Sequence, residues 1–365
     1  MKSVKYVIVL LIALQLLLPR AFTLADVYHN RMDYTLMLNN NNVHDIDTVL
    51  QQVKWDIERN KRQNYVIMLG DSILYGSPGS SDQPASVFLQ QKPGAPFIYN
   101  LAFPAMQLGD MYTMLLKLDK HGISTDRLIF NIRYASFIPR DPTPPVVFWL
   151  VSDLRKLDRE SYAKMLPQLK EAGTELPSNP YETFQRALHD DWLPHVSLIQ
   201  YKDYFRRNLH NWFLVHVRNQ PMPDDALDDS RSWVVKKEWQ QSIGINFDDL
   251  LQDPQLIASF TDQPFDLSAN NPDVYFLERM LAHQQGKQTL VMLSGTNHDL
   301  MKDSVNLPGY KANLVAIDRM MAAKKEITYV NLEGAIPGDL FSDHTHMTPE
   351  GNRMLADILT PYLPK

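Results

Sequence analysis

The chain has 365 residues, 36 Lys and Arg against 42 Asp and Glu, a formal net charge of −6 and no cysteine. The missing cysteine excludes a disulfide scaffold, a cysteine-ligated zinc or iron–sulfur site and a thiol nucleophile. The mild acidity argues against nucleic acid as a partner, because phosphate binding is driven by an excess of Lys and Arg. At 44% hydrophobic and 21% charged residues, the composition is that of a folded globular chain. At roughly 150 residues per domain, the length fits two domains, or one domain with a large insertion.

Lys2 and Lys5 precede an apolar run from Tyr6 to Leu18 that only Gln15 interrupts. About 13 residues suit the apolar core of a signal peptide better than a full membrane span. Pro19 and Arg20 end the run, and Thr23-Leu24-Ala25 offers a weak small-residue cleavage context. Residues 1–25 therefore read as a signal peptide or an N-terminal membrane anchor. Both readings place the remainder outside the cytoplasm, as a periplasmic, secreted or outward-facing anchored protein.

The first part of an α/β core is expected over residues 26–137. A polar run from Asn39 to Asn42 reads as a loop or helix entry. Val43, Ile46, Leu50, Val53 and Ile57 then recur at 3, 4, 3 and 4 residues, which predicts a helix with one apolar stripe. Tyr65–Leu69 is a short continuous apolar run, the pattern of a strand buried on both faces of a parallel sheet. A second strand is predicted at Ile98–Leu101, a helix at Met111–Leu118 and a third strand at Arg127–Phe137. The Asp141-Pro142-Thr143-Pro144-Pro145 segment is a stiff turn that opens a helical insertion over residues 138–287. Helical patterns follow at Val146–Leu157, Tyr181–Leu188, Val196–Val217 and Asp273–Gln285, with a Pro- and Asp-rich link over Gln220–Asp229. The Phe148-Trp149-Leu150-Val151 run reads as helix core rather than a membrane-touching patch. The core resumes over residues 288–365, with strands at Thr289–Leu293 and Ile327–Leu332 and a terminal helix at Thr348–Leu363. Strands alternating with helices imply an α/β domain with an open parallel sheet.

Two motifs carry chemistry. Gly70-Asp71-Ser72 follows the first strand, where open α/β sheets place ligands. A serine there is a weak nucleophile until a base takes its proton. The same triplet also makes an ordinary turn or helix cap. The second motif is Ser342-Asp343-His344-Thr345-His346-Met347-Thr348-Pro349-Glu350-Gly351. Asp343 and His346 stand three apart just before a helix that Thr348 caps and Pro349 starts. That spacing can set the carboxylate against one ring nitrogen of His346 and leave the other for a serine; the alternative is a surface loop whose His and Asp only cap the helix. His344 competes for the base role. On an extended loop, side chains two apart share a side but lie about 6–7 Å apart, so one of them reaches the serine. His346 keeps the three-residue spacing and is the expected base.

Taken together, Gly-Asp-Ser after the first strand and Asp-x-x-His-x-Thr-Pro-x-Gly before the last helix resemble the SGNH (GDSL-type) hydrolase superfamily. The resemblance covers about residues 60–137 and 288–363 and leaves out the insertion. It implies a three-layer α/β/α fold and a serine esterase, lipase or carbohydrate O-acyl esterase or transferase. Ser72 would be the nucleophile, His346 the base and Asp343 its orienter, with no metal and no cofactor. The substrate would be an acylated carbohydrate or another ester. Similar divergence of the middle motifs in secreted relatives that modify envelope polysaccharides implies envelope-assembly proteins as partners, beside a membrane tether through the N-terminus.

The oxyanion donors depart from the family pattern. Where the family has a glycine, the chain reads Tyr99-Asn100-Leu101-Ala102-Phe103-Pro104-Ala105-Met106, and Ala105 is the expected equivalent. Alanine keeps the N–H but takes a positive φ only at a cost. The family's asparagine after the third strand is absent; Asn131 falls inside the strand, and Arg133 is the candidate for positive charge instead. Losing one such donor costs about 3–4 kcal/mol of transition-state stabilisation. In the Ser294-Gly295-Thr296-Asn297-His298 turn after the fourth strand, Asn297 or His298 is a candidate pocket residue. Two rival readings remain open. One is a non-catalytic binding or assembly protein of the same fold. The other is a metal-dependent hydrolase built on His344, His346, Asp343 and His298.

Overall fold

In a computed structural model, residues 2–39, 45–140, 143–173, 179–188, 192–243 and 253–364 are described. Asn40 to Asn42, Val43, Asp141 and Pro142, all named above, lie outside them.

Five strands make one parallel sheet: β1 Tyr65–Leu69, β2 Phe97–Asn100, β3 Arg127–Ile132, β4 Gln288–Leu293 and β5 Thr328–Asn331. Their order is β2-β1-β3-β4-β5. Side chains alternate between two apolar cores, as the two-residue period of a strand requires. Ile67 and Leu69 of β1 and Val291 and Leu293 of β4 enter one core. Val66, Met68, Leu290 and Met292 enter the other. The first core is closed by helices including Asp45–Arg59, Leu108–Lys120, Pro272–His283 and Pro308–Ala322, and the second by Ala85–Gln90 and Pro349–Leu359. The result is a three-layer α/β/α architecture, which explains why the strand sequences are continuously apolar rather than alternating.

Several elements end earlier than the sequence pattern predicts, each for a local reason. β2 stops at Asn100 because its side-chain oxygen takes the N–H of Ala102 at 3.1 Å, so Leu101 leaves the strand. β3 stops at Ile132 rather than Phe137. The Ser136 hydroxyl accepts the Arg133 N–H at 3.1 Å, and Tyr134–Phe137 turns as a 3-10 helix. The helix expected from Val146 starts at Val151, because the buried Asp110 carboxylate accepts the backbone N–H groups of Phe148, Trp149 and Leu150. The Trp149 indole donates to Pro104 O at 3.0 Å, so this run folds onto the core as a loop. The terminal helix covers Pro349–Leu359 and then tightens into a 3-10 turn; Thr348 caps it by accepting the Gly351 N–H at 3.1 Å.

The described residues of the insertion include helices at Val151–Leu157, Arg159–Glu171, Pro180–Ala187, Ser197–His216 and Trp233–Ser242. The Pro272–His283 helix packs beside Leu108–Lys120 and leads into β4, so it belongs to the core layer. From β1 the chain steps outward to β2, then returns past β1 to β3 and continues the other way. The switch in direction therefore falls between β1 and β3, the place where open α/β sheets form a crevice at the strands' C-terminal ends.

Candidate active site

The turn after β1 is held from beneath. Asp71 caps the short Ser72–Tyr75 helix by accepting the Ile73 N–H at 2.9 Å. Asn131 reaches across from β3: its Oδ1 accepts the Asp71 N–H at 3.2 Å, and its Nδ2 donates to Asp71 Oδ1 at 3.1 Å and to Ser294 Oγ at 3.0 Å. Only glycine fits at position 70, because an added Cβ would run into Asn131 Oδ1. Arg133 Nε forms an ion pair with Asp71 Oδ2 at 2.6 Å. The sequence offered Arg133 as positive charge in place of the missing oxyanion asparagine; the structure pairs its Nε with Asp71. The clamp made by Asp71, Asn131 and Ser294 was not anticipated. Its one signal is a polar residue, Asn131, in the otherwise apolar core of β3.

The second motif forms a closed loop. Phe341 and Met347 bridge antiparallel, and the Ser342 N–H donates to His346 O at 2.8 Å. Inside the loop, Asp343 Oδ1 accepts the N–H groups of Thr345 at 2.8 Å and His346 at 2.7 Å. The His346 Nδ1 bonds Asp343 Oδ2 at 2.7 Å, and its Nε2 accepts the Ser72 hydroxyl at 2.7 Å. Three residues from two motifs more than 270 positions apart thus form a continuous serine–histidine–aspartate relay. Such a relay lets the ring take the serine proton while the carboxylate holds its tautomer and balances its charge.

The insertion grips the same loop from outside. Trp233 N–H donates to Phe341 O and Lys236 Nζ donates to Ser342 O, each at 2.9 Å. The Phe260 ring lies 5.8 Å from the His344 ring, edge to face. Asn297 acts from below. Its Nδ2 donates to Asp343 O and its N–H to His344 O, both at 3.0 Å, while its Oδ1 accepts the Leu300 N–H at 3.2 Å. It is fully buried, so the structure places it under the loop as a brace and not on the pocket wall. His298 pairs with Glu333 at 2.8 Å instead of turning to His346. Among the described residues, no three His, Asp or Glu side chains converge as a metal-ligand set.

Ala105 is exposed and has φ 61°, in the left-handed region that favours glycine. Holding a residue with a Cβ there costs about 1–2 kcal/mol. Phe103 N–H donates to Gly70 O at 2.9 Å, which ties the loop carrying Ala105 to the Gly70-Asp71-Ser72 turn.

Loss of solvent pushes the Asp343 carboxyl up, but the hydrogen bond from His346, the charges of both histidines and the loop N–H of His346 outweigh it. The carboxyl ends well below the usual carboxylate range. His344 moves below an ordinary histidine, first through burial and then through His346 and Arg133, against the pull of Asp343. A depressed carboxyl adds stability that is present above its unfolded pKa of about 3.9 and is lost as pH falls through the folded value. The stability advantage of wild type over Asp343→Asn, read from urea unfolding, should therefore be full at neutral pH and shrink only in strong acid. An advantage that does not change with pH would mean the carboxyl is not depressed.

No family model matches the chain, and no curated protein matches it at a significant level.

Proposed function

We propose that this chain is an exported serine hydrolase or O-acyltransferase of the SGNH type that acts on ester-linked acyl groups. The observation that carries the reading is the relay from Asp343 through His346 to Ser72, with both bonds at 2.7 Å. As Ser72 Oγ attacks the ester carbonyl carbon, its proton passes to His346 Nε2 and the carbonyl oxygen becomes an oxyanion. The backbone N–H groups of Ser72 and Ala105 are the candidate donors to that oxyanion. Collapse of the tetrahedral intermediate breaks the ester C–O bond, and the leaving alcohol takes the proton from His346. An acyl-Ser72 ester remains. Water, or a sugar hydroxyl in a transferase, then repeats the steps in reverse.

Lys2, Lys5 and the apolar N-terminal helix Lys2–Ala21 support an extracytoplasmic location, compatible with a signal sequence or an anchor. That location and the acyl chemistry favour an acylated envelope or extracellular polysaccharide as substrate. A fluorophosphonate probe tests the reading. It should label the wild-type chain and leave Ser72→Ala unlabelled. A folded wild-type chain that takes no label, or a Ser72→Ala variant labelled equally, would favour a binding or assembly protein. That second reading draws on Arg133 Nε, which pairs with Asp71, and on Asn131, which is spent on Asp71 and Ser294.

A further inference from the structure

The segment where a signal peptide would be cut is folded into the body. Phe22 is buried, with its ring 4.7 Å from that of Tyr201. The Thr23 hydroxyl and N–H both donate to Asp26 Oδ2 at 2.7 Å. Leu24–Val27, which contains Ala25, is a helical turn ending on the fully buried Val27. In the folded chain this segment is a capped helical turn rather than an extended strand, although Thr23 and Ala25 are exposed.

The helix before it is docked through its second half. Gln15, the one polar break in the apolar run, is fully used by the insertion. Its Oε1 accepts the Ser197 N–H at 2.9 Å, its Nε2 donates to His195 O at 2.6 Å, and its own carbonyl accepts the Ser197 hydroxyl at 3.0 Å. Pro19 O accepts Gln52 Nε2 at 2.9 Å. By contrast, Val4 to Ile12 in the first half are all exposed, within a Val4–Ala21 window of mean hydropathy 1.8.

Beside this helix, the insertion leaves its own apolar side chains in the open. Leu198, Phe205, Leu209 and Trp212 are spaced 7, 4 and 3 residues apart, which is one face of the Ser197–His216 helix. Phe205, Leu209 and Trp212 line an apolar groove together with Leu18, Ala21 and Phe22. Trp192, 72% exposed, sits one short turn before His195 and hence near the level of Gln15.

We propose that the N-terminal helix is retained as a membrane anchor and that this face of the insertion is sunk into the outer surface of the same bilayer. The anchor itself identifies the occupant. Gln15 lies six residues before the helix end at Ala21, about 9 Å along the axis at 1.5 Å per residue. A bilayer holding the helix up to Ala21 therefore reaches Trp192 and Leu198, within the roughly 5–10 Å depth of interfacial helices. Trp212 comes to lie at headgroup level, where amphipathic rings are favoured. Lys2 and Lys5 remain on the inner side. The proposal does not depend on the acyl chemistry of Ser72.

The absence of cysteine makes the test clean. Full-length protein carrying Leu198→Cys, Leu209→Cys or, as a control, the exposed Lys302→Cys is spin-labelled and reconstituted into phosphatidylcholine–phosphatidylglycerol vesicles. Labels at 198 and 209 should collide with oxygen over a water-soluble nickel chelate at a ratio about tenfold above the control. In parallel, the intact mass of the protein from membranes should include residues 1–25. Ratios equal to the control would overturn the proposal. So would exclusion of both reagents, which marks a protein partner or a second copy on this face, or a mature chain that begins after Ala25.

Discussion

Replacing His346 by alanine should lower acyl transfer or probe labelling at least about 10³-fold, whereas His344→Ala should cost about tenfold or less. The two side chains lie two residues apart, with ring centroids 6.4 Å apart, so they cannot share one hydrogen-bonding position. The Ser72 hydroxyl is bonded by His346, and the same ring is anchored to Asp343 on its other nitrogen. His344 is 3.8 Å from the far oxygen of Asp343 and rests against Phe260. Removing His346 leaves Ser72 without a base, and water held in its place has neither the basicity nor the orientation. Removing His344 deletes a neighbour of the relay and one source of charge on Asp343. Rate measurements on both variants, with folding checked by circular dichroism, decide the point. Equal losses would point to a shared metal ion, and a chelator or added zinc should then change the activity.

The second large effect is expected beneath Ser72. Asn131→Ala should destabilise the protein by about 2–4 kcal/mol and slow labelling of Ser72. Asn131 is buried and serves three groups: the Asp71 N–H, the Asp71 carboxylate and the Ser294 hydroxyl. Each buried polar group left without a partner costs about 1–3 kcal/mol. The turn that Asn131 clamps also fixes the backbone of Ser72, so the loss passes to the site. Asn131→Asp keeps the shape but sets a second carboxylate against Asp71, and it should be at least as damaging. Urea unfolding measures the first effect and the labelling rate the second. A variant that unfolds like wild type would show that the clamp is dispensable.

The layers of the fold were readable because burial on both faces leaves a strong mark. Tyr65–Leu69, Leu128–Phe130 and Leu290–Leu293 are apolar without interruption, and a helix lies between strands as the alternating pattern requires. Element ends were less readable. Ser136 and Asn100 each stop a strand and Asp110 delays a helix start, each with a side chain that captures backbone N–H groups visible as partners only once the chain is folded.

The sequence alone determined the order of the elements, the three-layer α/β/α class and which three residues to test as a relay. The order rests on local periodicity; the three-layer class and the choice of relay residues came from the resemblance of two locally spaced motifs to the SGNH pattern. Tertiary structure decided what distant residues do to one another. It put Asn297 under the Asp343–His346 loop and Arg133 against Asp71, and it gave Ala105 a left-handed backbone. It also joined the N-terminal helix to the insertion through Gln15 and Ser197, 182 residues apart. A buried polar side chain takes whichever partner the packed chain brings within about 3 Å. Spacing along the chain does not encode that choice, because it depends on how the layers close over the sheet.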